Sequence, residues 1–142
     1  MQKLNFDTQR EQLVENELRL LGISDEAVLQ AMRTVPREEF VSEEMREFAY
    51  RNAPLPISFG QTISQPLIVA YMAEALELAP HERVLEIGAG SGYAAAVLSR
   101  IAKEVFKFDE WIWFDETSAV QPLTTQQAAE HVLTHPFAVI DR

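Results

Sequence analysis

Residues 83–102, RVLEIGAGSGYAAAVLSRIA, restrict the fold of this chain more than any other stretch. RVLEI is an apolar run of strand length, and YAAAVLSRIA is rich in alanine and other helix formers. Between them stand Gly88, Gly90 and Gly92, three of only five glycines in the whole chain. Glycine lets the backbone turn sharply and lets a ligand approach with no Cβ in the way. The free N–H groups of a new helix then attract polar or anionic groups. Strand, glycine turn and helix in that order predict an α/β fold. The spacing G-x-G-x-G departs from the dinucleotide fingerprint G-x-G-x-x-G. It also follows Glu86, whose carboxylate would repel a pyrophosphate but can accept hydrogen bonds from a cationic amino-acid ligand. After the helix, EVFKFDE reads as a second strand ending at Asp109, where a parallel sheet binds ribose hydroxyls. An ordinary exposed turn acid is the other reading of Asp109.

The 142 residues suffice for one domain with its own core. At 47% hydrophobic and 24% charged residues the composition is globular. No apolar run approaches the roughly 18 residues of a membrane span. The start, MQKLNFDTQREQ, has no apolar signal core, so export is not expected and a cytoplasmic setting is. With no cysteine there is no disulfide framework and no thiolate nucleophile. A net charge of −10 argues against a nucleic-acid backbone as partner. The carboxylates of REEF, SEEMRE and DEWIWFDE read as solvated helix faces.

Residues 1–53 read as a cover of short helices. Thr8 with Glu11 suggests a capping box, followed by Val14, Leu18 and Leu21 at helical spacing and Gly22 as a stop. Ser24 can cap a second helix that carries Val28, Leu29 and Met32 and ends near Val35, before Pro36. A third, SEEMREFAYRN, presents Met45, Phe48 and Ala49. NAPLPISFGQTISQP follows, with three prolines and a glycine, and predicts an ordered extended loop. Ser64 then precedes a helix carrying Ile68, Val69, Met72 and Leu76, which Pro80 closes. Local physics leaves two readings of Ser64, a helix N-cap or a hydroxyl facing a substrate from a rigid loop.

Three blocks in order, GISDEAVLQAMRTVPREEFV, APLPISFGQTISQPLIVAYMAEALEL and RVLEIGAGSGYAAAVLSRIAKEV, resemble the protein-L-isoaspartate O-methyltransferase family over residues 9–108. The resemblance implies a Rossmann-like class I methyltransferase fold, here truncated, and S-adenosylmethionine as cofactor. It implies methylation of L-isoaspartyl carboxylates in damaged proteins, which starts their repair. Ser64 then matches the active-site serine, with Gln61, Thr62 and Ile63 shaping the isoaspartyl pocket. Glu86, Gly88, Gly90, Ser91 and Gly92 match the cofactor loop, with Ala89 where many members have threonine. Asp109 takes the place of a ribose-binding glutamate, one methylene shorter. An isoaspartyl carboxylate is already ionised at neutral pH, so such an enzyme needs positioning rather than a strong base.

Beyond Asp109 the match stops. The tail, residues 110–142, reads as an aromatic strand over residues 111–114, a polar loop with Pro122, a helix over residues 125–134 and a strand over residues 137–140. The whole is expected to form a single domain, with residues 54–109 as substrate loop and cofactor unit. His131 and His135 are four apart, but a helix end suits them better than a metal, and no metal site is expected. Trp111 and Trp113 read as core or interface. A strand over residues 84–87 left open at one edge predicts that the tail or a second copy covers it, hence a homodimer. The alternative to an enzyme is a non-catalytic remnant, fragment or chimera of the same fold that acts as an interaction module.

Overall fold

The computed structural model describes residues 5–108, 112–114 and 120–122. Helix α1 (Phe6–Leu13) begins one turn earlier than the Thr8 capping box predicts. Asn5 is its N-cap, and the Asn5 side chain accepts from the Thr8 N–H at 3.1 Å. An Asx cap upstream already satisfies the donor that a box would serve. The helix then widens into a π turn, Val14–Leu18, with the Arg19 N–H bonded to the Val14 carbonyl. This longer turn shifts the apolar stripe. Val14 and Leu18 are buried as predicted, but Leu21 is 58% exposed and Ile23 takes the next core position. Gly22, at φ +107°, ends the segment as predicted. The Ile23 N–H reaches back to Leu18 O and the Gly22 N–H to Arg19 O, the paired bonds of a Schellman stop.

Helix α2 (Glu26–Thr34) is the middle of the core and lies against α1, the π turn and two later helices, α3 (Pro66–Ala75) and α4 (Tyr93–Leu98). Its N-cap is Asp25 rather than Ser24, because the Asp25 carboxylate accepts from the N–H groups of both Ala27 and Val28. Ser24 turns instead to α3, where Glu74 accepts from the Ser24 and Asp25 N–H groups at 2.7 Å each. Those bonds hold the Glu74 carboxyl below the usual carboxylate range. Val28, Leu29 and Met32 are buried as predicted, and α2 stops at Thr34 before Pro36. Two 3₁₀ segments follow, Arg37–Phe40 and Glu43–Phe48.

The REEF carboxylates are not all solvated. Glu38 is 6% exposed and Arg37 fully buried. Glu38 pairs with Arg10 at 3.1 Å and accepts from the Tyr50 hydroxyl, which in turn accepts from Arg10 Nε at 2.7 Å. The charge is inside because a cation and a phenol meet it there.

The proline-rich stretch folds back on itself. β1 (Leu55–Pro56) and β2 (Thr62–Ile63) pair antiparallel around a 3₁₀ turn, Ser58–Gly60. α3 follows, and of the predicted stripe only Val69 is buried. Pro66, Val69, Ala70 and Ala73 are buried, whereas Ile68, Met72 and Leu76 are exposed. PLIVAYMAEA is apolar almost all round, so periodicity cannot choose a face; the small alanines let the helix approach α2 closely.

β3 (Arg83–Ile87) and β4 (Glu104–Phe108) pair in parallel with Val84 opposite Val105, joined by α4. This is the predicted strand–turn–helix–strand unit. β3 is nevertheless half-open, with Arg83 and Ile87 exposed, because among the described residues it pairs on one edge only. β5 (Ile112–Phe114) pairs antiparallel with β6 (Val120–Pro122) rather than with β3. Pro122 is therefore in a strand, not a loop, at a terminal position where the missing N–H is tolerated. Trp111, Asp109, the predicted helix with His131 and His135 and the predicted strand at 137–140 lie outside the described residues. Among the described residues no helix is long and apolar enough to cross a membrane.

Candidate cofactor and acceptor site

Three segments border an open cleft with a cavity volume of about 400 Å³. Glu39, Phe40, Val41 and Ser42 form one wall, Ile57, Ser58 and Gln61 the second, Gly90 and Ser91 the third. The third wall is the glycine turn. Gly88, Gly90 and Gly92 have φ of +78°, +51° and +81°, a region that side chains strongly disfavour. The turn is closed by the Gly92 N–H on Ala89 O at 2.8 Å and by Ser91 Oγ accepting from the Tyr93 N–H at 3.3 Å. A β-carbon on Gly88 would meet nothing within 4 Å, so that side of the turn is open. One on Gly90 would lie 3.9 Å from both Gln61 Oε1 and Ile57 Cδ1. The glycine turn and the hairpin loop thus face each other across a gap of side-chain size.

Of the residues predicted for the site, Gln61, Gly90 and Ser91 line this cavity together. Gly88 and Gly92 shape the turn beside it, and Glu86 is the penultimate residue of β3 below, half-buried with one carboxylate oxygen shielded from solvent. Ile63 is 3% exposed and belongs to the core, whereas Thr62 and Ser64 are exposed. Ser64 is not the N-cap of α3. Pro66 occupies the first helical position, Gln65 is the cap residue, and the Leu67 N–H is satisfied by Asn52 Oδ1 at 3.1 Å. A side chain from another segment does the capping, which leaves the Ser64 hydroxyl available for another role.

Sequence reasoning missed the wall from Glu39 to Ser42, which reads as part of a polar cover. The available signal was Pro36, which forces α2 to end and leaves REEFVS too short for another α-helix. Phe40 packs edge-on against Tyr93, with ring centroids 5.5 Å apart, and so joins this wall to the helix after the glycine turn. Tyr93 is 1% exposed and its hydroxyl meets Met32 Sδ. Burial pushes its phenol pKa up to about 12. Glu39 is held at the rim by Arg46 at 3.6 Å.

A parallel strand pair with a glycine turn between strand and helix is an α/β unit of the Rossmann-like kind that the class I methyltransferase fold contains. The family model of protein-L-isoaspartate(D-aspartate) O-methyltransferase matches residues 8–112. The chain belongs to the protein-L-isoaspartate O-methyltransferase family. It is 61% identical over 105 residues to protein-L-isoaspartate O-methyltransferase 2 of Pelobacter propionicus, covering 74% of this chain and 47% of that protein. It is 52% identical over 121 residues to the Opitutus terrae protein-L-isoaspartate O-methyltransferase, covering 85% of this chain and 48% of that one. The chain therefore spans about half the length of the curated relatives it matches. A solved protein-L-isoaspartate O-methyltransferase from Plasmodium falciparum, in complex with S-adenosyl-L-homocysteine, superimposes with a TM-score of 0.55 at 32% identity. That match covers 68% of this chain and 42% of the other. A second solved protein-L-isoaspartate O-methyltransferase gives a TM-score of 0.61 at 29% identity, over 89% of this chain and 39% of that chain.

Proposed function

We propose that this chain binds S-adenosylmethionine at the glycine turn and presents an L-isoaspartyl carboxylate of a damaged protein to it for methylation. The observation that carries this reading is the shared cavity, in which the hairpin loop and the glycine turn face each other. The turn suits the cofactor. Gly88 is exposed, with open space where a Cβ would stand, and every second residue of the turn is a glycine at positive φ. When bound, S-adenosylmethionine supplies a methyl group on a sulfonium, ready for attack.

In this reading the protein positions rather than activates. Glu86 accepts hydrogen bonds from the cationic amino group, Gly88 to Gly92 pass close to the ligand, and Asp109 takes ribose hydroxyls. Ser64 donates to the isoaspartyl carboxylate and orients it. Gln61 borders the acceptor, while Thr62 and Ile63 hold the hairpin, Ile63 through the core. Apolar Phe40, Val41 and Ile57 help to exclude water from the cavity. Residues 54–109 would be the working unit of a single domain, in a cytoplasmic setting.

Calorimetric titration of the full chain with S-adenosylmethionine tests the cofactor half; heat no different from buffer dilution would overturn it. Ser64→Ala tests the acceptor half. Because Ser64 caps nothing, the substitution should change stability by less than about 0.5 kcal/mol. Methyl transfer to an isoaspartyl peptide should nevertheless fall by at least about tenfold, some 1.4 kcal/mol of lost orientation. Unchanged turnover would remove Ser64 from the site. A non-catalytic binding module is the second reading. Cofactor binding without transfer to any isoaspartyl peptide would select it.

We also propose that the edge of β3 away from β4, which pairs with no strand among the described residues, invites a second copy of the chain by strand addition. Sedimentation of the full chain and of one ending at Asp115 checks this. A well-folded monomer of the shorter chain would rule it out.

A further inference from the structure

We propose that Arg37 is a positioning residue that holds all three walls of the cavity in register without reaching the ligands itself. For its functional meaning this rests on the reading above; its geometry does not.

Arg37 is 0% exposed, yet no carboxylate within the described structure pairs with it. Its Nε donates to Ala49 O at 2.8 Å and its Nη2 to Ala53 O at 3.4 Å. Its guanidinium carbon lies 5.0 Å from the centre of the Tyr93 ring, and its own N–H donates to the Tyr50 hydroxyl at 3.1 Å. Among the described residues Nη1 has no hydrogen-bond partner.

The place of Arg37 in the chain and its contacts together reach all three walls. Arg37 opens the 3₁₀ segment that delivers Glu39 and Phe40. The Ala49 and Ala53 carbonyls belong to the turn that feeds the hairpin, and Asn52 of that turn caps α3 just after Ser64. Tyr93 is the first residue of α4, directly after the glycine turn, and packs on Phe40. A buried cation is expensive, and a core built only for stability would use an apolar side chain here. A planar, forked cation can do what an apolar group cannot: take two carbonyls and a ring face at once, from separate segments. Arg37 thus sets the spacing between the acceptor loop and the cofactor turn.

The test is amide hydrogen exchange on the full chain with Arg37→Met and Arg37→Lys, read at Glu39, Ile57 and Gly92. Each of those amides is bonded within its own wall, to Pro36 O, Gln61 O and Ala89 O. All three should exchange at least about tenfold faster together in Arg37→Met, less so in Arg37→Lys. Ile23 and Leu29, bonded in the helical layer, should keep their rates. Equal acceleration at Ile23 and Leu29, or variants that both fail to fold, would make Arg37 a stability residue and overturn the proposal. Acceleration at one wall alone would overturn it as well. S-adenosyl-L-homocysteine titration of the parent separates the two questions. A parent that binds nothing sinks the functional reading, while the exchange pattern still decides what Arg37 does.

Discussion

Gly90→Val is expected to abolish S-adenosylmethionine binding, with affinity falling at least about 100-fold, or some 2.7 kcal/mol. Two effects add. The residue sits at φ +51°, where a left-handed backbone costs an ordinary L-residue roughly 1–2 kcal/mol and a β-branched one more. Its β-carbon would also point at Gln61 Oε1 and Ile57 Cδ1, each 3.9 Å away, so the two γ-methyl groups must enter the space between turn and hairpin. The first effect is conformational and the second is specific to the cavity. Gly22→Ala separates them, since Gly22 also has positive φ but faces no atom within 4 Å and lies at the end of the π turn. That variant should lose stability and bind normally. If Gly90→Val folds and titrates like the parent, the turn does not hold the cofactor.

The part of the fold legible in the sequence is the part fixed by local rules. RVLEI became β3 at residues 83–87 because apolar run length and a following glycine leave little else for it to be. Gly88, Gly90 and Gly92 adopted the positive φ that their spacing implied. Caps were read less well. Ser and Thr at Ser24, Ser64 and Thr8 gave way to Asn5 and Asp25, and to Asn52 reaching over from another segment. The last of these is a tertiary bond that no local pattern announces. α3 failed for the opposite reason, a helix with too much apolar surface for periodicity to select a side. The site was half legible. Gln61, Gly90 and Ser91 were named from resemblance and do meet, but the wall from Glu39 to Ser42 was not. Its side chains read as solvated until the chain folds a cation and a phenol onto Glu38 beside it.

That buried cluster carries the largest expected loss of stability in the helical layer. Arg10→Met should destabilise the chain by about 3–5 kcal/mol, as removal of one partner from a buried ion pair does. Arg10 bonds Tyr50 through Nε, Glu38 through Nη2 and the Arg33 carbonyl through Nη1, and its carbon lies 5.6 Å from the Tyr50 ring centre. Met retains most of the packing volume but leaves the buried Glu38 carboxylate with only the Tyr50 hydroxyl. The exposed partner Asp7, at 3.2 Å and 90% accessible, adds little. A native domain has roughly 5–15 kcal/mol in total, so this is a large fraction. The cost is that of a stranded charge, and it should therefore be non-additive. The double variant Arg10→Met/Glu38→Leu removes the charge with its partner and should recover a measurable part of the loss. Urea denaturation of parent, both single variants and the double variant completes the cycle. A single-variant loss below about 1 kcal/mol, or a double variant as unstable as the sum of the two, would show that the pair is not what keeps Glu38 inside. The consequence reaches the cavity, since Glu39 follows Glu38 in the same 3₁₀ turn and stands at its rim.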